Sequence, residues 1–285
     1  MAKLVEIIGM AHNPALERLV ARRGDDPILG AIVEDYALMR RRLAEARPDV
    51  LVVIASDHLN QWFMDNMPGF LIGKAPRAKG PFGHEIETWG LSTYDAPVHV
   101  ELARQLVAQG FDAGVDFAFS DEFLIDHAFT VPLTFVRPEM DIPIVPLWTN
   151  VMAPPLPPAT RFFTVGETLR RLIESVSLDL RVAVVSSGHL AVEVGGPNFG
   201  SGTSPDPAFD ERMMALIAAG DASTVIKEAT LDRLLEAGNV TPGFLNYVML
   251  LGLANGTAPR ATALRFPKQT AAVYYMEWTF DGAAA

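Results

Sequence analysis

Four of the six histidines follow short apolar runs, an arrangement that could bring imidazoles together around a metal ion. The four, each with the run before it, are His12 (4–10), His58 (50–55), His127 (115–119) and His189 (181–186). Runs of this length that are rich in Val and Ile predict strands buried on both faces of a parallel or mixed sheet. If the strands run in one direction, the four imidazoles meet at one sheet edge, where α/β folds place their chemistry.

Such a group suits metal chemistry of two kinds. Two neutral imidazoles and one carboxylate form the ligand triad of non-haem Fe(II) oxygenases, and zinc hydrolysis uses the same ligand types. The spacing favours neither and does not identify the carboxylate. The chain has no cysteine, so any metal must be held by histidine, carboxylate and water. The structural alternative for each histidine is an imidazole that caps a strand and bonds to its neighbours.

Composition limits the partners. The net charge of -11 and the sequence pI near 5.0 argue against nucleic acid and an anionic membrane surface. The apolar stretch 244–254 is too short to span a bilayer. The first residues predict a strand and not a signal peptide, so we expect a cytoplasmic protein.

The remaining pattern predicts an α/β protein with a central mixed β-sheet flanked by helices, in a single domain over residues 1–285. Asn13 is the expected N-cap of the first helix. Pro143 and Pro146 lie in an apolar strand near 142–147, and they predict a sheet edge or irregular pairing because proline lacks an N–H.

A long segment at about 61–96 has little periodicity and many Gly and Pro residues, interrupted by aromatic side chains such as Trp62 and Trp89. Structureless loops of this length are often binding loops or lids. We expect this segment to cover a pocket; the alternative is a loop packed against a neighbouring subunit. His84 and Glu85, which lie in it, are candidates for substrate contact, although an exposed or structural histidine is the simpler interpretation of His84.

Five motifs in order resemble the class III extradiol ring-cleavage dioxygenases, specifically the catalytic β subunit of protocatechuate 4,5-dioxygenase. They are GMAHNP around His12, SDHLNQWF around His58, DHAF around His127, SSGHLAVE around His189 and LLEAGN around Glu236. The resemblance extends from the first strand to the helix after Asn239. It implies an α/β fold and an oxidoreductase that incorporates both atoms of O₂ into a small aromatic diol.

Carried over motif by motif, the resemblance implies that His12, His58 and Glu236 bind Fe(2+), that His189 is the acid–base residue, and that His127 is a second catalytic histidine beside the substrate. A structural alternative for His127 is a buried imidazole held by Asp126 or Glu122. Asp57 is expected to orient the backbone or an imidazole. Glu236 stands at a helix C-terminus, where the helix dipole disfavours a carboxylate.

The substrate expected from the resemblance is a catecholic acid such as protocatechuate, gallate or an O-methylgallate. Catechols without a carboxylate and 2-aminophenol remain alternatives, as do a zinc hydrolase and a non-catalytic binding relative. Candidates to pair a substrate carboxylate, chosen by polarity and loop position, are Arg77, Lys79, Lys268 and Thr270. We expect a homo-oligomer, with a second protomer or a small α-type subunit as alternative covers for the pocket.

Overall fold

Eight strands form one mixed sheet, and two short strands form a second sheet. The computed structural model describes residues 1–196 and 203–280. The strands are Lys3–Ala11 (β1), Val50–Ser56 (β2), Phe70–Gly73 (β3), Arg77–Gly80 (β4), Tyr94–Pro97 (β5), Ala118–Ser120 (β6), Ile144–Thr149 (β7), Arg181–Gly188 (β8), Ala261–Arg265 (β9) and Val273–Thr279 (β10).

The larger sheet has the order β6-β3-β7-β2-β8-β1-β10-β9. The four central strands β7, β2, β8 and β1 pair in parallel, while the β3–β7, β1–β10 and β10–β9 pairs are antiparallel. Because these four strands are parallel, their carboxyl ends meet at one edge of the sheet. The predicted α/β fold with a central mixed sheet is confirmed.

Helices connect the strands and cover the sheet. They are Leu16–Ala21 (α1), Pro27–Ala46 (α2), Gly83–Trp89 (α3), Val100–Asp112 (α4), His127–Val136 (α5), Ala159–Ser175 (α6), Pro207–Ala218 (α7), Ala222–Glu228 (α8), Leu231–Ala237 (α9) and Leu245–Leu253 (α10), with a 3₁₀ turn at Thr241–Phe244. Along the sheet order, the β1-to-β2 crossover through α2 runs opposite to the β7-to-β8 crossover through α6. Right-handed crossovers in opposite directions place their helices on opposite faces.

The helix α10 is apolar along most of its length and every residue in it is buried. It packs closely on α6 because two glycines let the backbones approach: a Cβ at Gly166 or at Gly252 would lie 2.1 Å from a carbonyl oxygen of the other helix. In the described part of the chain, no helix is both long and apolar enough to cross a membrane.

The expectation of a sheet edge at β7 is wrong, since β7 lies between β3 and β2. The pairing with β3 ends at Ile72↔Leu147, so Pro146 falls just beyond the last pair of that ladder. The missing N–H of Pro146 therefore removes no bond from the β3 pairing. Proline is tolerated here because the neighbouring strand is short.

The segment 61–96 differs from the expected structureless loop. It holds β3, β4, α3 and the first three residues of β5, and β4 pairs with β5 as a separate hairpin-like unit. Polar and glycine-rich sequence with short strands gives little periodicity, which explains why sequence patterns miss these elements.

A buried pair of acidic residues, Glu6 on β1 and Glu277 on β10, lies between neighbouring strands. Burial and the nearby Glu277 raise the pKa of Glu6 from its ordinary value of 4.5 to about 9. Glu6 is thus protonated in the fold at pH 7, where the unfolded chain ionises it. The stability that the protonated form gives is complete below pH 4.5 and declines as the pH rises towards 9.

We therefore expect Glu6→Gln to raise the free energy of unfolding at pH 8 by about 1–2 kcal/mol, because Gln stays neutral in both states. Thermal unfolding from pH 5 to pH 9 would measure this, and the variant should lose part of the decline of the wild type. Glu45→Gln is the control, since Glu45 is exposed and pairs with Arg42, which also lies 3.6 Å from the buried Glu277. Parallel curves for wild type and Glu6→Gln would contradict the prediction.

Candidate metal centre and active site

Four imidazoles meet at the carboxyl edge of the parallel strands. The ring centroids of His12 and His189 are 4.1 Å apart, those of His58 and His127 are 4.2 Å apart, and those of His12 and His58 are 5.2 Å apart. His12, His58 and His189 follow β1, β2 and β8, as the spacing predicts. The prediction that four histidines converge is confirmed, although His127 arrives by another route.

His127 does not reach the site from the end of a parallel strand. The strand before it, β6, pairs in parallel with β3, which is antiparallel to β7. The carboxyl end of β6 therefore points away from the site edge. Residues 121–126 lead the chain back, and His127 is the first residue of α5, whose N-cap is Asp126.

The tautomer of His12 is fixed by a relay of two hydrogen bonds. The Ser187 hydroxyl donates to the Ala128 carbonyl at 2.6 Å, so its oxygen is left to accept from His12 Nδ1–H at 2.9 Å. His12 Nε2 then carries the lone pair. This nitrogen is buried and has no hydrogen-bond partner among the described residues, which is the condition of a nitrogen ready to bind a metal.

Asp126 fixes the tautomer of His58. Its Oδ2 accepts from the His58 backbone N–H at 3.0 Å and from His58 Nδ1–H at 2.9 Å, while Oδ1 accepts from Ala128 N–H at the start of α5. Nδ1 is therefore protonated, and Nε2 of His58 holds the lone pair. A carboxylate behind a histidine is the usual outer partner of a metal ligand.

Glu85 holds His127, a contact that sequence patterns missed. Glu85 Oε1 accepts from His127 Nδ1–H at 2.6 Å, and Oε2 accepts from Phe82 N–H at the start of α3. The structural alternative for His127 named Asp126 or Glu122 as its partner; Asp126 is turned to His58 instead, and Glu85 takes the place of both. The buried Glu85 belongs to the segment 61–96, which packs on the site from outside the parallel strands.

Asp57 orients backbone, one of the two roles expected for it. Its Oδ2 accepts from the N–H groups of Asn60, Gln61 and Trp62 and so holds the turn after His58.

Asn13 does not cap α1, contrary to expectation. Its amide donates instead to Thr270 Oγ1 at 2.9 Å and to the Ala271 carbonyl at 3.2 Å. These two bonds tie the turn after β1 to the loop before β10.

His189 follows β8 directly and is 7% exposed. Its Nδ1 is buried and has no hydrogen-bond partner within residues 1–196 and 203–280. The turn after it is held by the buried carboxylate of Asp210, which accepts from Ala191 N–H at 2.7 Å and from the Ser204 hydroxyl at 2.5 Å. The position of the ring is thus fixed through its backbone.

The helix α10 and β10 tie the strand ends together. Asn246 donates to the Ser187 carbonyl at 2.7 Å and accepts from Thr149 Oγ1 at 2.6 Å. Tyr247 donates its hydroxyl hydrogen to the Met10 carbonyl or to Tyr274, and Tyr274 can donate to the Gly188 carbonyl at 2.9 Å. These buried bonds fix the ends of β1, β7 and β8, next to the histidines.

Burial sets the charge of the four rings. Burial first, and then the neighbouring imidazoles, hold the pKa of His12 and of His189 well below the ordinary value. Burial and His58 also lower the pKa of His127, against the opposing effect of Glu85. For His58, burial lowers the pKa, but Asp126 outweighs it and the net direction is upward. The cluster is therefore largely neutral and accommodates positive charge best beside Asp126.

The structure does not bring Glu236, the ligand expected from the resemblance, to this cluster. It lies in the last turn of α9, its side chain is 71% exposed, and Arg233 faces it at 4.0 Å. The groups that could hold a metal in the described residues are His12 with His58 and His189, and His58 with Asp126 and His127. The ligand atoms within each group lie within 4.8 Å of one another. Neutral imidazoles with buried, unpartnered nitrogens fit a metal ion.

A cavity of about 510 Å³ opens beside the cluster. His58, His127 and His189 line it, together with Trp89 from the segment 61–96. The other lining residues are Asn13, Pro14, Ala15, Met152, Val192, Glu193, Val194, Thr203, Pro205, Val240, Gln269, Thr270 and Ala271. The cavity can hold an aromatic ring with a substituent.

Of the four candidates to pair a substrate carboxylate, only Thr270 lines the cavity. Arg77 donates to Asp95 at 2.6 Å, and Lys79 lies 3.8 Å from the same carboxylate. Lys268 is exposed and is not among the lining residues. Gln269 and Ala271 line the cavity without a sequence signal that singles them out.

The chain matches one protein family over most of its length. The family is described as the catalytic LigB subunit of aromatic ring-opening dioxygenase, and its model matches residues 6–276. A Rhodococcus sp protein named 2,3-dihydroxyphenylpropionate/2,3-dihydroxicinnamic acid 1,2-dioxygenase is 31% identical over 238 residues, which are 82% of this chain and 69% of that protein. An Escherichia coli (strain K12 / DH10B) protein of the same name is 35% identical over 184 residues, 64% of this chain and 54% of that one.

A solved structure has the same fold. The crystal structure of an uncharacterized protein from Escherichia coli K12 matches with a TM-score of 0.58 and 16% identity, over 96% of this chain and 99% of that one. At this identity the likeness concerns the fold alone.

The substitution Asp126→Asn tests the role of the Asp126 carboxylate, which accepts a hydrogen bond from His58 Nδ1–H. The new amide NH₂ would face His58 N–H and Nδ1, so the ring would place its hydrogen on Nε2 and lose the lone pair that faces the cluster. We expect affinity for Co(II), measured by anaerobic titration, to fall roughly 10- to 100-fold. The control is Asp121→Asn, an exposed carboxylate that pairs with Lys74. Equal affinity for the two variants would contradict this prediction.

Proposed function

Because the chain belongs to the family of catalytic LigB subunits of aromatic ring-opening dioxygenases, we propose that it cleaves the ring of a catechol beside the diol, with Fe(2+) held by His12 and His58. The chain is an extradiol ring-cleavage dioxygenase by family. One observation supports the residue roles. Two histidines with fixed tautomers present lone pairs at Nε2 beside a cavity, where a third histidine is paired with a carboxylate.

Iron, when bound, supplies a Lewis acid that makes the catechol hydroxyls more acidic and conducts electron density from the ring to O₂. His127 is the proton acceptor in our proposal. Its Nε2 is free to take a hydroxyl proton because Nδ1–H is committed to Glu85. The lowered pKa of His127, due mainly to burial, keeps the ring neutral before the reaction, and the Glu85 carboxylate stabilises the imidazolium once the proton has arrived.

The same proton can later return from His127 Nε2 to an oxygen of the ring-opened product, since both diol oxygens stay on the carbon skeleton. Trp89 packs edge-on against His127, with ring centroids 5.1 Å apart, and limits the positions available to that ring. We propose that the segment 61–96 covers the pocket in this way, through Trp89 and Glu85. The homo-oligomer, the α-type subunit and the cytoplasmic location stay predictions.

The substrate we propose is a catechol whose far substituent is uncharged. The described cavity lining has no Lys or Arg and includes the carboxylate of Glu193. Residues 197–202 lie outside the described structure, and their sequence contains no basic residue either. A substrate carboxylate is bound best by Arg or Lys. Protocatechuate, gallate and O-methylgallate, the acids expected from the sequence, would lack such a partner.

The charge preference can be measured with a matched pair of substrates. The acid is 2,3-dihydroxyphenylpropionate, which appears in the names of the relatives, and its neutral counterpart is the primary amide of the same molecule. We expect kcat/KM, from O₂ uptake and the yellow product, to be about 10-fold or more higher for the amide, which corresponds to about 1.4 kcal/mol. A higher value for the acid would contradict the neutral pocket, while no O₂ uptake by the Fe(2+)-loaded protein with catechol, protocatechuate, gallate or 2-aminophenol would contradict the activity.

The role of His127 has its own test. We expect His127→Ala to lower kcat roughly 10²- to 10⁴-fold, because it removes the imidazole that accepts the hydroxyl proton in our proposal, with metal affinity changed much less. Glu85→Gln should lower kcat less and shift its pH profile. The control is His84→Ala, since His84 neighbours Glu85 and is exposed. Loss of metal from His127→Ala would instead make His127 a ligand.

A further inference from the structure

We propose that His189 is the third protein ligand of the metal, so that three imidazoles and no carboxylate hold it. The inference rests on the proposed function and deepens it, because it concerns the centre of the same site. It replaces two expectations from the sequence, the ligand role of Glu236 and the acid–base role of His189.

Three imidazole nitrogens lie close enough together to bind one ion after a small movement. One nitrogen each of His12, His58 and His189 can be chosen so that all three lie within 4.8 Å of one another. Nitrogens bound to one ion at about 2.1 Å lie roughly 3 to 4 Å apart. A small inward movement of the three rings therefore suffices. The rings come from β1, β2 and β8, three adjacent parallel strands, and buried hydrogen bonds fix the ends of β1 and β8.

Two of the histidine nitrogens in this cluster lack a hydrogen-bond partner within residues 1–196 and 203–280. His12 Nε2 and His189 Nδ1 are both buried, and neither has a hydrogen-bond partner in the part of the chain that the structure describes. Among the unpartnered buried side-chain atoms of the described residues, these two are the only histidine nitrogens, and their ring centroids are 4.1 Å apart, so one bound ion could satisfy both. A metal ion bound by His12, with one nitrogen of His189 turned towards it, would satisfy this need.

The carboxylates near the cluster all accept hydrogen bonds from the protein; Asp57 Oδ1 is buried without a partner among the described residues, but Asp57 belongs to neither candidate metal group. Asp126 Oδ2 accepts two hydrogen bonds from His58, so it serves as the outer partner of that ligand. Glu85 is held by His127 and by the N-terminus of α3, and Asp57 Oδ2 accepts from three backbone N–H groups. Glu236 is exposed on α9. Of the described acidic residues, only Asp126 lies within a candidate metal group.

The backbone opposite His189 leaves room for its ring. A Cβ placed on Gly243 would lie 3.0 Å from His189 Cδ2 and 3.2 Å from the His189 nitrogen of the main chain. Any side chain at residue 243 would therefore press on the ring. The 3₁₀ turn that contains Gly243 thus packs against His189 through bare backbone and limits the space on that side of the imidazole.

The test is metal binding by the full chain, measured without turnover. Co(II) is titrated anaerobically and its visible absorption is recorded for wild type, His189→Ala, His189→Gln and Glu236→Gln. We expect both His189 variants to bind Co(II) at least 10-fold more weakly with a changed spectrum, and Glu236→Gln to match wild type. Imidazole added to His189→Gly should restore the wild-type spectrum, which a merely structural role would not produce. Circular dichroism verifies folding, and His189→Gln preserves bulk if His189→Ala unfolds.

Each negative result has a distinct meaning. Wild-type affinity and spectrum in folded His189→Gln would overturn the three-histidine centre while leaving the proposed dioxygenase intact. Weaker binding by Glu236→Gln, together with no rescue by imidazole, would overturn the three-histidine centre as well. Absence of Co(II) and Fe(2+) binding by the wild-type chain would overturn the proposed function itself.

Discussion

Four buried imidazoles within a few ångströms of one another cannot all be positively charged, and the site is built around this constraint. Burial favours the neutral form of each ring, and each neutral ring needs a defined place for its one hydrogen. Ser187, Asp126 and Glu85 supply that definition for His12, His58 and His127. All three hold Nδ1–H, so all three rings present Nε2. The result is a set of lone pairs fixed in place before any metal or substrate arrives.

The histidine nitrogens stay in position only if the ends of the strands that precede them do not move. Hydrogen bonds from Asn246 and Tyr247, on the buried helix α10, reach main-chain carbonyls of β8 and β1. These polar side chains lie on an otherwise apolar helix, where an unpaired polar group would be costly. Their partners are carbonyls at the ends of the strands that precede His12 and His189. The core helix and the proposed metal centre are therefore one structural unit, and Gly166 and Gly252 allow that helix to pack directly on α6.

The sequence was sufficient for the strand-to-histidine arrangement because a buried parallel strand leaves a continuous apolar run, and its carboxyl end is a defined place. The sequence was insufficient where the hydrogen-bond partner of a histidine lies far away along the chain. Glu85 lies 42 residues from His127, and Ser187 lies 175 residues from His12. The resemblance assigned Glu236 by its motif, but a carboxylate in the last turn of a short helix has no local feature that turns it inward. Pro146 led to the wrong expectation of a sheet edge for a related reason. Only the register between β3 and β7 shows that its missing N–H removes no hydrogen bond from that pairing.

Charge balance connects the metal centre with the substrate pocket. Three neutral imidazoles leave a divalent ion with its full charge of about +2, whereas a carboxylate ligand would reduce it to about +1. A catechol that has passed one hydroxyl proton to His127 brings one negative charge to this centre, which reduces the charge of the centre without any further carboxylate. A further carboxylate on the substrate would add a negative charge beside Glu193, with no basic residue in the described lining to receive it. In our proposal, the all-imidazole centre and the cavity lining, in which no Lys or Arg is described, therefore favour the same molecule, a catechol that carries no charge outside its two diol oxygens.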